Sequence, residues 1–250
     1  MRRLLSEEIL LSGLVLLSAG LPPNLFVAAQ AGYAKLFVLA PLLLIPSVIL
    51  LIVTMIVASA RGHRRLLNRA LAGIGAGIIG TLALEAVRMT SFRLGGMPGD
   101  LPRLLGVLMT DRFMMGPSTL SDVLGYAYHY WNGACFGVIF AVLLGRKPLI
   151  WGGLYGLFIG IGFLASPAVK AMGVGWMASE MPSMQATVVI AHVAYGVTLA
   201  ALTRRWIHSE DRVDASNGDS DRDLIGPGTR RRASSIVAPP VRSCGPLSRT

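Results

Sequence analysis

Two histidines lie inside apolar runs that hold no charged side chain. His129 falls in residues 123–145 and His192 in residues 181–203, and each is followed four residues later by a glycine, Gly133 and Gly196. Both runs are long enough to cross a bilayer. An imidazole inside a membrane is costly and marks a functional site by default. At a 1.5 Å rise per residue, both rings are expected roughly 10–12 Å below the same membrane boundary. Two imidazoles at one depth could ligate a haem axially, with the glycines making room for the macrocycle. They could equally form half of a metal site or part of a proton relay. The commonest use of a polar side chain between membrane helices is hydrogen-bonded packing, and that reading stays open too.

Glu85 is the third candidate. Arg88 stands at i+3 from it, so a local ion pair near the membrane boundary is one reading. In the other, Glu85 orients a histidine or exchanges a proton with it.

These residues need elements to hold them. The chain of 250 residues is 53% hydrophobic and 14% charged, against about a quarter charged in soluble domains. Its mean hydropathy is +0.61. The apolar residues form long blocks rather than the ten-residue alternation of a membrane β-barrel. The expected fold is all-α, a polytopic transmembrane helical bundle of about six spans, near 9–30, 36–60, 68–88, 123–144, 149–169 and 184–203. Pro22 and Pro23 are expected to interrupt the first, and Pro41 and Pro46 to kink the second. Three regions follow: 1–66 with two spans, 67–206 as a four-helix core, and 207–250 as a tail. The tail is rich in Asp, Arg, Ser, Gly and Pro and should be disordered on the cytoplasmic side. The first segment has a rival reading as a signal peptide ending at Ala29-Gln30-Ala31, which would place the N-terminus outside.

The net charge of +10 could suggest nucleic acid. The Lys and Arg residues instead flank the apolar blocks and populate the tail, as topology signals and anionic-lipid contacts do. The bilayer is therefore the expected partner, nucleic acid is not, and a second copy or a membrane-protein partner stays open. The positive-inside rule places both termini in the cytoplasm of a bacterial inner membrane.

Small residues recur every four positions. Gly125, His129, Gly133 and Gly137 share one helix face, as do Gly152, Gly156 and Gly160, and His192, Gly196 and Ala200. Such faces let helices approach closely. Spans three to six read as two similar helical hairpins, each beginning with glycines and returning through His-x-x-x-Gly, which would be a parallel duplication. Between spans three and four, Asp100 is a plausible N-cap. Leu101, Leu104, Leu105 and Leu108 fall on one face of a short amphipathic helix able to cap the bundle. Methionines in the connections read as flexible apolar filler rather than copper ligands.

No P-loop, G-x-S-x-G, H-E-x-x-H or dinucleotide fingerprint occurs, and no carboxylate pair is placed for hydrolysis, so a non-enzymatic role is favoured. Gly77-Ile78-Ile79-Gly80-Thr81, Asp100-Leu101-Pro102, His129–Gly133 and His192–Gly196 together resemble uncharacterised bacterial four-helix membrane proteins over about residues 68–204. The resemblance implies membrane location and fold, but no activity. The expectation for function is a small ligand, ion or cofactor held in the outer half of the bundle near the two histidines. The alternatives are a bis-histidine haem protein and a structural or assembly factor whose histidines only pack.

Overall fold

The computed structural model describes residues 2–207, with side chains from residue 6 onward. The tail expected beyond residue 207 lies outside the described residues. Nine α-helices make up the described chain, with one π-helical turn, one 3-10 turn and no strand.

The first helix, α1 (Arg2–Gln30), runs straight through Pro22 and Pro23, where an interruption was expected. Each proline removes a backbone N–H. The carbonyls left without an intrahelical donor are those of Ser18 and Ala19, four residues back; the Tyr128 hydroxyl ties the same stretch to α6 by donating to the Pro22 carbonyl at 2.7 Å. The next apolar block is α2 (Leu36–Leu39), a π-helical turn (Ala40–Leu44) that holds Pro41, and α3 (Ile45–Ala60), which holds Pro46 near its start. A π-turn accommodates a locally broken hydrogen-bond ladder. Then come α4 (Arg64–Arg93), α5 (Leu101–Met109), α6 (Thr119–Leu143), α7 (Leu149–Leu164), α8 (Pro167–Ala171) and α9 (Pro182–Trp206).

Among the described residues, four helical stretches are long and apolar enough to cross a membrane: Ser6–Gln30, Leu36–Ala60, Arg64–Arg93 and Pro182–Trp206. The expected count of about six thus narrows to four by length and composition. The helix α6 spans 25 residues, but Tyr126, Tyr128, His129, Tyr130 and Asn132 make one half of it too polar. With only 16 residues, α7 is too short.

The core is a row in which α4 packs against both α6 and α9, and α7 packs against α9. The contacts are antiparallel and are made through glycine. A Cβ at Gly73 would lie 2.6 Å from the Gly137 carbonyl oxygen, and one at Gly77 would strike that of Gly133. In the other pair, a Cβ at Gly152 would strike the Gly196 carbonyl and one at Gly156 that of His192. No other residue type fits backbones this close. The helix α1 lies along α3 and α6, and α5 clamps onto α6. Added Cβ atoms at Gly106 and Gly125 would each collide with the backbone of the other helix. A capping box between Ser118 and Ser121 starts α6 beneath that clamp.

Candidate functional site

The residues that could do chemistry gather where α4 and α6 approach the end of the bundle carrying α5. Glu85 and Arg88 sit one turn apart on α4, both buried. Arg88 donates from Nε to Glu85 Oε1 at 2.7 Å and from Nη2 to Oε2 at 2.6 Å. This is a bidentate guanidinium–carboxylate pair. His129 comes from the facing turn of α6, with its Nε2 at 2.9 Å from Glu85 Oε1. That is ion-pair distance without the alignment of a hydrogen bond. Glu85 therefore makes the local ion pair with Arg88 and also lies beside a histidine.

Asp100 extends the cluster. It stands at the N-cap position of α5 but makes no side-chain cap hydrogen bond, contrary to expectation. Its Oδ1 lies 3.1 Å from Arg88 Nη2, and its Oδ2 accepts from the Tyr126 hydroxyl at 3.1 Å. The guanidinium outcompetes the helix terminus because a buried cation needs its counter-charge more than one amide needs a cap. Two carboxylates thus face one guanidinium.

His192 has a different setting. Its Nδ1 lies 2.8 Å from the Val188 carbonyl oxygen of its own helix, and its ring stacks on Phe163 at 6.2 Å between centroids and 24° between planes. Opposite it stands Gly160, where a Cβ would lie 3.2 Å from that of His192.

Both histidines line one cavity of about 490 Å³, bounded by α1, α4, α5, α6, α7 and α9. That volume lies within the range of small-molecule sites. Most of its lining is apolar. Four residues of the lining carry a polar atom that is buried without a hydrogen-bond partner: Arg88 Nη1, Asn132 Oδ1, Ser166 Oγ and His129 Nε2, the last at ion-pair distance from Glu85. Such groups cost about 1–3 kcal/mol each when left unpaired. Tyr195, also on the wall, donates to the Gly133 carbonyl at 2.7 Å.

Sequence reasoning singled out His129, His192 and Glu85, and the structure brings all three to this region. It missed Asp100 as a charge partner, and Asn132 and Ser166 as lining groups. Asn132 carried a signal that could have been used, an amide one turn after His129 in an apolar run. Of the glycines assigned to helix packing, Gly133 and Gly137 meet α4, and Gly152, Gly156 and Gly196 lie in the α7–α9 contact. Gly125 instead meets the loop helix α5, and Gly160 meets the His192 side chain. Among the described residues, no group of three or more His, Cys, Asp or Glu is placed to hold a metal ion.

No curated protein matches the chain, and no solved structure does. One family model matches residues 67–213, which takes in α4 to α9 and leaves out α1 to α3. The chain belongs to that family, described as a family of unknown function, DUF6789.

Proposed function

We propose that this is an integral membrane protein that binds a small molecule in the cavity between the α4–α6 and α7–α9 pairs, in the outer half of the bundle. The observation that carries this reading is the cavity wall itself. It places an unpartnered guanidinium nitrogen, amide oxygen and hydroxyl beside two histidines in an otherwise apolar enclosure. Buried polar groups in native proteins have partners as a rule, so unpartnered atoms on several residues lining one cavity point to a ligand that supplies them. The close glycine contacts on either side hold that wall rigid. The positive-inside pattern supports six crossings with both termini in the cytoplasm of a bacterial inner membrane. In that arrangement α6 and α7 complete the bundle although neither is sufficient alone.

The test is native mass spectrometry of the protein released from mild detergent, followed by extraction of any retained molecule. The expected result is a retained mass on the wild type that falls in occupancy in His129→Ala. A bare protein mass for both would overturn the reading. An absorption spectrum of the same sample tests the haem alternative. That alternative fits the geometry poorly, because Nε2 of His129 is directed at Glu85 and the His192 ring lies against Phe163. The structural or assembly alternative predicts that both histidine substitutions leave the retained mass unchanged.

A proton-linked version of the same reading has its own support. His129, Glu85, Arg88, Asp100 and Tyr126 form a continuous polar chain from the cavity toward the α5 end of the bundle. Such chains mark proton pathways in membrane proteins.

A further inference from the structure

We infer that the ligand is a neutral amphiphile, with a carbonyl- and hydroxyl-bearing head, that enters from the lipid through a side opening between α1 and α7. The inference rests on the ligand-binding reading above and adds the head chemistry and the route.

The head chemistry follows from charge. Arg88 has spent Nε and Nη2 on Glu85, and Nη2 also faces Asp100. Only Nη1 is left, one nitrogen with two N–H donors on an already neutralised cation. Glu85 and Asp100 set against Arg88 sum to one negative charge. An anionic head drawn to Arg88 would still feel the two carboxylates held against that guanidinium behind the lining, and in a low-dielectric site that repulsion is strong. A cationic head would gain from that charge, but nothing on the wall offers it a free carboxylate. Glu85 is engaged through both oxygens, and Asp100, shared between Arg88 and Tyr126, is not on the lining. What the wall does offer is a donor at Arg88 Nη1, an acceptor at Asn132 Oδ1 and a hydroxyl at Ser166. Those match a head with a carbonyl to accept and a hydroxyl to donate.

The route follows from exposure. The helices α1 and α7 both line the cavity, yet make no substantial contact with each other among the described residues. Phe158, 75% exposed, and the exposed Gly162 of α7 belong both to the cavity wall and to the apolar flank of the bundle. A Cβ at Gly162 would meet nothing within 4 Å, so the mouth has room there. An apolar tail can lie in that mouth while its head reaches the polar wall.

The experiment uses the full chain in lipid nanodiscs and radiolabelled 1-monopalmitoylglycerol. Hexadecanesulfonate and hexadecyltrimethylammonium serve as anionic and cationic competitors with the same tail. The expected result is saturable binding that either ion displaces about tenfold less well than unlabelled monopalmitoylglycerol. Gly162→Trp should weaken binding by about tenfold or more by filling the mouth without touching the core. Asn132→Leu should weaken it while leaving the charged cluster intact. Equal displacement by all three heads, or preference for an ion, with binding still lost in Gly162→Trp, would overturn the neutral-head inference and leave the cavity reading standing. Absent binding, or binding indifferent to Gly162→Trp, would overturn this inference, and absence of any retained mass in the previous experiment would then remove the cavity reading as well.

Discussion

The α4–α6 pair and the α7–α9 pair are built on the same backbone contact and end in opposite chemistry. Gly77 faces Gly133 in the first pair, and Gly152 faces Gly196 in the second. Each histidine stands four residues before the glycine on the returning helix. Two turns beyond Gly77 is Glu85, against His129; two turns beyond Gly152 is Gly160, against His192. One further turn gives Arg88 in the first pair and Phe163, stacked on the histidine, in the second. The first corner is thus a charged cluster and the second an apolar one, on matching scaffolds. The lesson is that the glycine contact sets where a histidine sits, and the residues two and three turns along decide what it can do. The cavity lies between the two corners and draws one polar and one apolar wall from the difference.

Several substitutions would break or sharpen this equivalence. Glu85→Ala removes the bidentate pair and leaves Arg88 only Asp100, so it should cost about 1.5–3 kcal/mol, the usual contribution of hydrogen bonds to a charged group. Its matching change, Gly160→Ala, should cost far less, and thermal unfolding in detergent compares the two directly. Gly77→Leu and Gly152→Leu should each cost about 1–3 kcal/mol or more, because a side chain would meet backbone. A loss confined to one pair would break the equivalence. A double-mutant cycle goes further. Gly160→Glu alone buries an unpaired carboxylate; adding Phe163→Arg should recover stability, with a coupling of roughly 0.5–3 kcal/mol. Coupling near zero would mean that the second corner cannot host the first corner's chemistry. The smallest effect should come from Tyr195→Phe, which removes the bridge from α9 to the Gly133 carbonyl. It should cost about 0.6 kcal/mol, the average for hydrogen bonds between membrane helices.

Much of this arrangement was legible in the residues. Glycine every fourth position, with a histidine in phase, placed His129 and His192 on contact faces, and a carboxylate at i−3 from an arginine announced an ion pair. The loop helix was readable from Pro102 and the leucine spacing, and α5 (Leu101–Met109) forms there. Its docking was not, since Gly106 against Gly125 is a contact between two stretches that no local pattern connects. The role of Asp100 was hidden for the same reason. Locally it is a good N-cap, and only the arrival of Arg88 from α4 redirects its carboxylate. The helix through Pro22 and Pro23 was likewise illegible, because what it packs on is remote in sequence: α3, and α6 with the Tyr128 hydroxyl on the Pro22 carbonyl.

The shortness of α7 has a consequence for the surrounding lipid. Sixteen residues make a rod of about 24 Å, some 6 Å less than the hydrocarbon thickness of a typical bilayer. In the six-crossing arrangement proposed above, an element that short would draw the two leaflets together locally, at a fraction of a kcal/mol per ångström. The thinning would centre on the flank that carries Phe158 and Gly162. Headgroups and interfacial water would dip toward that flank, shortening the distance a polar head must travel through hydrocarbon before it reaches the protein.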